Sequence, residues 1–101
     1  MDEQEQVARF MDEYELHAPP TYRVLDLVSE VGEVSKEINT STSYGHQPNQ
    51  IVVSEDEIGD LIFALLALCD SLEIDASTAL TTAMAKYERR INDAGDPGSG
   101  E

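Results

Sequence analysis

SEVGEVSKE, Ser29 to Glu37, and SEDEIGDLIF, Ser54 to Phe63, decide how this chain is read. Each holds two carboxylates three residues apart: Glu30 and Glu33 in the first, Glu57 and Asp60 in the second. On a helix, positions i and i+3 share a face one turn apart. Two such helices laid antiparallel bring four carboxylates to one patch. Four like charges in one place repel unless a cation sits among them. Carboxylate oxygen is a hard donor, suited to Mg²⁺ or Mn²⁺ rather than to zinc. The pattern therefore predicts a site for a hard divalent cation.

The surroundings of the two pairs strengthen that reading. Val28, Val31 and Val34 bracket the first pair; Ile58, Leu61 and Ile62 bracket the second. Carboxylates at such apolar margins are seldom buried without a partner. No Lys or Arg stands at i±4 of Glu30, Glu57 or Asp60, and only Lys36 lies near Glu33. A second use competes for Glu57. Ser54-Glu55-Asp56-Glu57 matches a capping box, in which Glu57 returns its carboxylate to the Ser54 amide. The expectation is that the cation holds Glu57 in the filled site, and that the cap retains it, at least in part, in the empty one.

Outward from these stretches the chain reads as four helices. Val7, Phe10, Met11 and Tyr14 have amphipathic spacing and predict a first helix over Met1 to His17, ended by Ala18-Pro19-Pro20. Leu27, Val31, Val34 and Ile38 predict a second, Thr21 to about Asn39. Gly32 inside it costs about 1 kcal/mol against alanine and leaves room for a close neighbour. Thr40 to Val53 is polar and reads as a loop, of a length that tends to be functional or mobile. The third helix, from the Ser54 cap to Leu72, is apolar on nearly every side and should be central. Asp75 caps a fourth, Ala76 to about Asn92, striped by Leu80, Ala83, Met84, Tyr87 and Ile91. The domain thus spans 1–93, and 94–101, AGDPGSGE, reads as a disordered tail. Four short helices can hardly surround the third alone. The fold class is all-α, four helices, with the bundle completed by oligomerisation to a homodimer or homotetramer.

Charge sets further limits. Six basic residues face 21 acidic ones, a formal net charge of −15. Such a chain is a poor partner for a nucleic-acid polymer or an anionic membrane. It fits a high-salt, halophilic cytoplasm, where self-repulsion is screened; an acidic mesophilic protein is the plainer alternative. MDEQEQ at the N-terminus is not a signal peptide, and Leu61 to Cys69 is about half a membrane span, so a cytoplasmic setting is expected. Cys69, alone in an apolar run, reads as a buried free thiol. A di-iron carboxylate bundle wants Glu-x-x-His, and neither His17 nor His46 stands three residues after one of these acids.

Glu30-x-x-Glu33, then 23 residues, then Glu57-x-x-Asp60, resembles the MazG family of nucleoside triphosphate pyrophosphohydrolases, of the all-α NTP pyrophosphatase superfamily. SEVGEVSKEI is similar to the family's first motif helix. EDEIGDLIFALLAL, with Gly59 before Asp60, is similar to its second, and KYERRI, Lys86 to Ile91, to the basic segment beyond. The resemblance covers roughly Val24 to Asn92. It implies Mg²⁺-dependent hydrolysis of a nucleoside triphosphate to monophosphate and pyrophosphate, with Mn²⁺ as a substitute. It implies Glu30, Glu33, Glu57 and Asp60 as metal ligands and catalytic residues, with one of them orienting or deprotonating the water. It also implies Lys86, Arg90 and Arg89 as phosphate-binding residues. Glu37 is a weaker candidate for the same acidic patch. The chemistry agrees: phosphoanhydride cleavage needs charge neutralisation and an in-line water more than a protein nucleophile. Two alternatives stand beside it, a non-catalytic acidic helical dimer serving as an interaction module and a phosphoribosyl-ATP pyrophosphohydrolase-like enzyme.

Overall fold

In the computed structural model, which describes residues 2–98, the elements run α1 (Glu3–Glu13), α2 (Pro20–Ser41), a 3₁₀ turn (Pro48–Gln50), α3 (Glu55–Ser71) and α4 (Ala76–Ala94). Among the described residues there is no strand, and the all-α, four-helix expectation holds.

The helix ends follow local chemistry. Asp2 caps α1 by accepting from the Glu5 amide at 2.8 Å. Helix α1 stops at Glu13, four residues before the expected end at His17, and the prolines are not the cause. Tyr14 leaves the helix, Glu15 takes a left-handed φ of 55°, and the Leu16 amide closes back onto the Met11 carbonyl at 2.9 Å. Pro20 at the first position of α2 loses only an amide that has no helical partner anyway. Helix α2 runs on to Ser41, two residues past the expected end. It turns out through Ser43, Tyr44 and Gly45, all at positive φ. Buried Thr42 holds that exit, its hydroxyl bonded to the Ile38 carbonyl at 2.7 Å and accepting from the Gly45 amide at 3.1 Å.

Helix α3 packs on α2 and α1. The pairing with α2 is antiparallel: as α2 runs back through Ser41, Glu37 and Glu30, its partners advance through Val52, Ser54 and Asp60. Close approach is made with small side chains, since Ala64 and Ala67 are the buried residues of α3. Met11 of α1 is buried, and Phe10 meets Phe63 edge-on at 5.9 Å between centroids. Buried Arg23 ties the α1–α2 connection to α2, donating to the Leu16 carbonyl and lying 3.6 Å from Asp26.

The central place expected for α3 is only half realised within one chain. Ile58, Ile62, Leu65 and Leu72 remain exposed, and Cys69 is half-buried rather than buried. The reason is α4, which touches the other helices only sparsely. Its stripe of Leu80, Met84, Tyr87 and Ile91 is left in the open. The radius of gyration, 16.8 Å, exceeds the ~13 Å of a compact chain this long. Gln4 fixes the α3–α4 corner, donating to the Ile74 carbonyl at 2.8 Å and accepting from the Ala76 amide at 2.7 Å. Gly95, left-handed, ends α4 one residue into the segment expected as a tail. Arg90 donates to the carbonyls of Pro97 and Gly98. Met1 and residues 99–101, where those expectations also fall, lie outside the described residues.

Candidate active site

The antiparallel α2–α3 pair carries Glu30 to Glu57 and Asp60. One carboxylate oxygen of each lies within 4.8 Å of the others. Glu30 and Glu57 are half-buried and Asp60 is exposed. Glu33 is not in this cluster. It stands exposed on the next turn of α2, beside a groove of about 350 Å³ that it lines with Lys36, Glu37, Thr40, Ser41, Val52 and Glu57. A second groove, about 380 Å³, opens on the other side of the cluster, between Glu30 and Asp60, with Arg23, Asp26, Phe63 and Ala64. Three of the four expected carboxylates are thus brought together, with the fourth at the edge.

Repulsion within the patch is uncompensated. Among the described residues, no Lys or Arg forms an ion pair with Glu30, Glu33, Glu57 or Asp60. Burial pushes the Glu57 carboxyl above its usual range, and the charges of Glu37, Asp60, Glu33 and Asp56 push it further. Its Oε2 is buried without a hydrogen-bond partner, a state that costs free energy until a proton or cation satisfies it. Close-set hard oxygen donors, one of them orphaned, fit a divalent cation.

The expected capping box is corrected here. Ser54 Oγ does accept from the Glu57 amide, at 3.2 Å. The return bond, however, comes from elsewhere: the Ser54 amide donates to Glu37 Oε1 at 2.8 Å. Glu37 reaches across from α2, so Glu57 does not spend its carboxylate on the cap. Sequence reading missed this because a capping box is sought three residues away, whereas Glu37 is seventeen residues back and made near only by the helix pairing.

The basic residues stand apart. Lys86, Arg89 and Arg90 lie on α4, and neither groove beside the carboxylates includes a residue of α4. Lys86 and Arg90 instead approach the Tyr87 ring, at 5.4 and 5.9 Å from its centroid. The cations lining the two grooves are Lys36 and Arg23. Arg23 went unnoticed in the sequence, where nothing distinguishes it from a surface arginine.

The MazG nucleotide pyrophosphohydrolase domain matches residues 20–94, which hold all four acids, the glycine inside each acid pair (Gly32 and Gly59) and the basic run. The chain belongs to the MazG family. This MazG domain is 32% identical over 97 residues to the uncharacterised protein YpjD of Bacillus subtilis strain 168, an alignment covering 91% of this chain and 86% of YpjD. It is also similar to the crystal structure of YpjD from Bacillus subtilis, described there as a candidate pyrophosphatase. That match has a TM-score of 0.70 at 32% identity, over 86% of this chain and 90% of the other. The domain is a hydrolase of nucleotide pyrophosphate bonds, of a family that generally uses divalent metals. Among the described residues, no helix is long and apolar enough to cross a membrane.

Proposed function

We propose that this MazG domain hydrolyses nucleoside triphosphates to nucleoside monophosphate and pyrophosphate, with Mg²⁺ as its cation and Mn²⁺ as a working substitute. One observation carries the reading: the α2–α3 pairing sets oxygens of Glu30, Glu57 and Asp60 within 4.8 Å of one another, with no Lys or Arg among the described residues paired to them. Glu30, Glu57 and Asp60 would hold the metal, and Glu33, at the groove edge, would join them or orient the attacking water. A bound divalent cation supplies charge neutralisation for phosphate oxygens at a site that otherwise repels them. Lys86, Arg89 and Arg90 would bind phosphate. They stand away from the carboxylates of their own chain, so the reading includes a homodimer or homotetramer in which α4 of one copy faces the α2–α3 site of another. Residues 1–93, which carry every candidate site residue, are the working unit. With a net charge of −15, the proposal places the enzyme in a high-salt cytoplasm.

The test is pyrophosphate release from a panel of standard, deoxy and damaged NTPs with Mg²⁺, at low and multimolar KCl. Turnover of at least one nucleotide is expected. Glu57→Gln and Asp60→Asn should each abolish it while far-UV circular dichroism stays that of a helical protein. Silence on every nucleotide at both salt levels would leave the non-catalytic interaction module, which the exposed apolar faces of α2 and α4 also fit.

A further inference from the structure

The N-terminus of α3 has two claimants for one acidic side chain. Glu57 sits three residues after the Ser54 cap, where a glutamate ordinarily folds back to accept from the cap amide. It also sits in the carboxylate cluster with Glu30 and Asp60. Bonding to the cap would turn its oxygens toward Ser54, away from the cluster. The Ser54 amide is a single donor, and Glu37 Oε1 already takes it at 2.8 Å. In the same structure Glu57 Oε2 is buried and unpartnered. Glu37 is half-buried, one turn beyond Glu33, and lines the groove that Glu33 and Glu57 share. Just beyond it on α2, Ser41 Oγ accepts from the Val52 amide at 3.0 Å, a second tie between the end of α2 and the entry to α3.

We propose that Glu37 is a positioning residue: by accepting the Ser54 amide hydrogen bond it replaces Glu57 in the α3 cap, and so keeps the Glu57 carboxylate available to the cation. This rests on the metal-dependent reading above. Glu37 acts through Ser54 and Glu57 and need not touch the metal. Its negative charge at the start of α3 is favourable to the helix dipole, as a capping carboxylate's is. Groups that orient metal ligands from behind typically alter cation affinity 10- to 100-fold when removed.

The test measures binding of Mn²⁺ alone, by calorimetry and by loss of the free-ion paramagnetic resonance signal, alongside far-UV circular dichroism. Glu37→Ala should weaken Mn²⁺ binding by about tenfold or more, because the freed Ser54 amide recruits Glu57. Glu37→Gln keeps an amide oxygen able to accept the same bond and should stay within about threefold of wild type. Ser54→Pro gives the arm specific to this idea. Ser54 has φ −72° and ψ 148°, a conformation that proline adopts, and proline has no amide hydrogen to offer. In that background Glu37→Ala should no longer change Mn²⁺ affinity. A tenfold loss in Glu37→Gln with helicity intact would make Glu37 a direct ligand and overturn the proposal. An equal loss from Glu37→Ala with and without the Ser54 amide would do the same. Should Glu37→Ala lose its helices, the Glu37→Gln result decides alone. Wild type that binds Mn²⁺ as tightly as Glu37→Ala refutes only this inference; wild type that binds none refutes the metal-dependent reading with it.

Discussion

Glu57 is the residue on which most forces meet. Burial raises its pKa first, and the neighbouring charges of Glu37, Asp60, Glu33 and Asp56 add to the rise. A carboxyl whose folded pKa exceeds its unfolded one binds protons more tightly when folded. Its ionised form therefore opposes folding above the raised pKa, and the penalty fades as pH falls through it. In metal-free buffer, Glu57→Gln should raise the melting temperature at neutral pH. The gain over wild type should shrink as pH falls toward the ordinary glutamate value of 4.5. A melting temperature lowered by the substitution at neutral pH would show that the orphaned carboxylate is not under strain. Asp75 has the opposite sign. The Thr78 hydroxyl, and then the Thr78 amide, hold its pKa down, so its contribution is present at neutral pH and lost as pH falls through that lowered value. Acidification should thus loosen the α4 cap while relieving the α2–α3 patch.

At the scale of elements, the fully buried positions of α3 are taken by small residues. Ala67 is 0% exposed and Ala64 4%, whereas Ile62 is 50% exposed. Ala64 also lines the groove shared by Glu30 and Asp60, so α3 presents a small side chain where it packs beside the carboxylate cluster. Ala67→Leu should cost about 1–3 kcal/mol by overpacking. It should also reduce Mn²⁺ affinity, because the helices bearing Glu30 and Asp60 are forced apart. Met11→Ala, at the buried contact of α1, should cost about 2–5 kcal/mol with little effect on the metal. Thermal melts and Mn²⁺ titrations of both variants separate the two outcomes. Equal Mn²⁺ affinity in Ala67→Leu and wild type would detach the site from this packing.

For the whole molecule the decisive fact is the open α4. Leu80 is 62% exposed, Met84 59%, Val28 of α2 63%. Exposed apolar faces of that extent mark contact surfaces. A second copy burying them would also bring the basic run of α4 toward carboxylates it does not reach in its own chain. Sedimentation equilibrium should give a mass of two or four chains at micromolar protein, holding in high salt because the contact is apolar. A compact monomer would contradict the assembly. Leu80→Glu with Met84→Glu should dissociate it and lower turnover together.

The sequence by itself determined the element count, the helix type and the acid pairs. Those depend on contacts three or four residues apart: the i, i+4 stripes of α2 and α4, the Ser54 and Asp75 caps, and Glu-x-x-Glu and Glu-x-x-Asp on single helical faces. Only the tertiary structure decided how those acids are used. Antiparallel pairing chose Glu30, Glu57 and Asp60 for the tight cluster and left Glu33 at its edge. It also handed the Ser54 amide to Glu37 and buried Arg23 against the α1–α2 connection. Such contacts join residues far apart in the chain, and which pairs meet is fixed by helix register and crossing, for which a local pattern carries no information. SEVGEVSKE announces a cation site, and Glu37, its last residue, takes its role from an amide seventeen residues ahead.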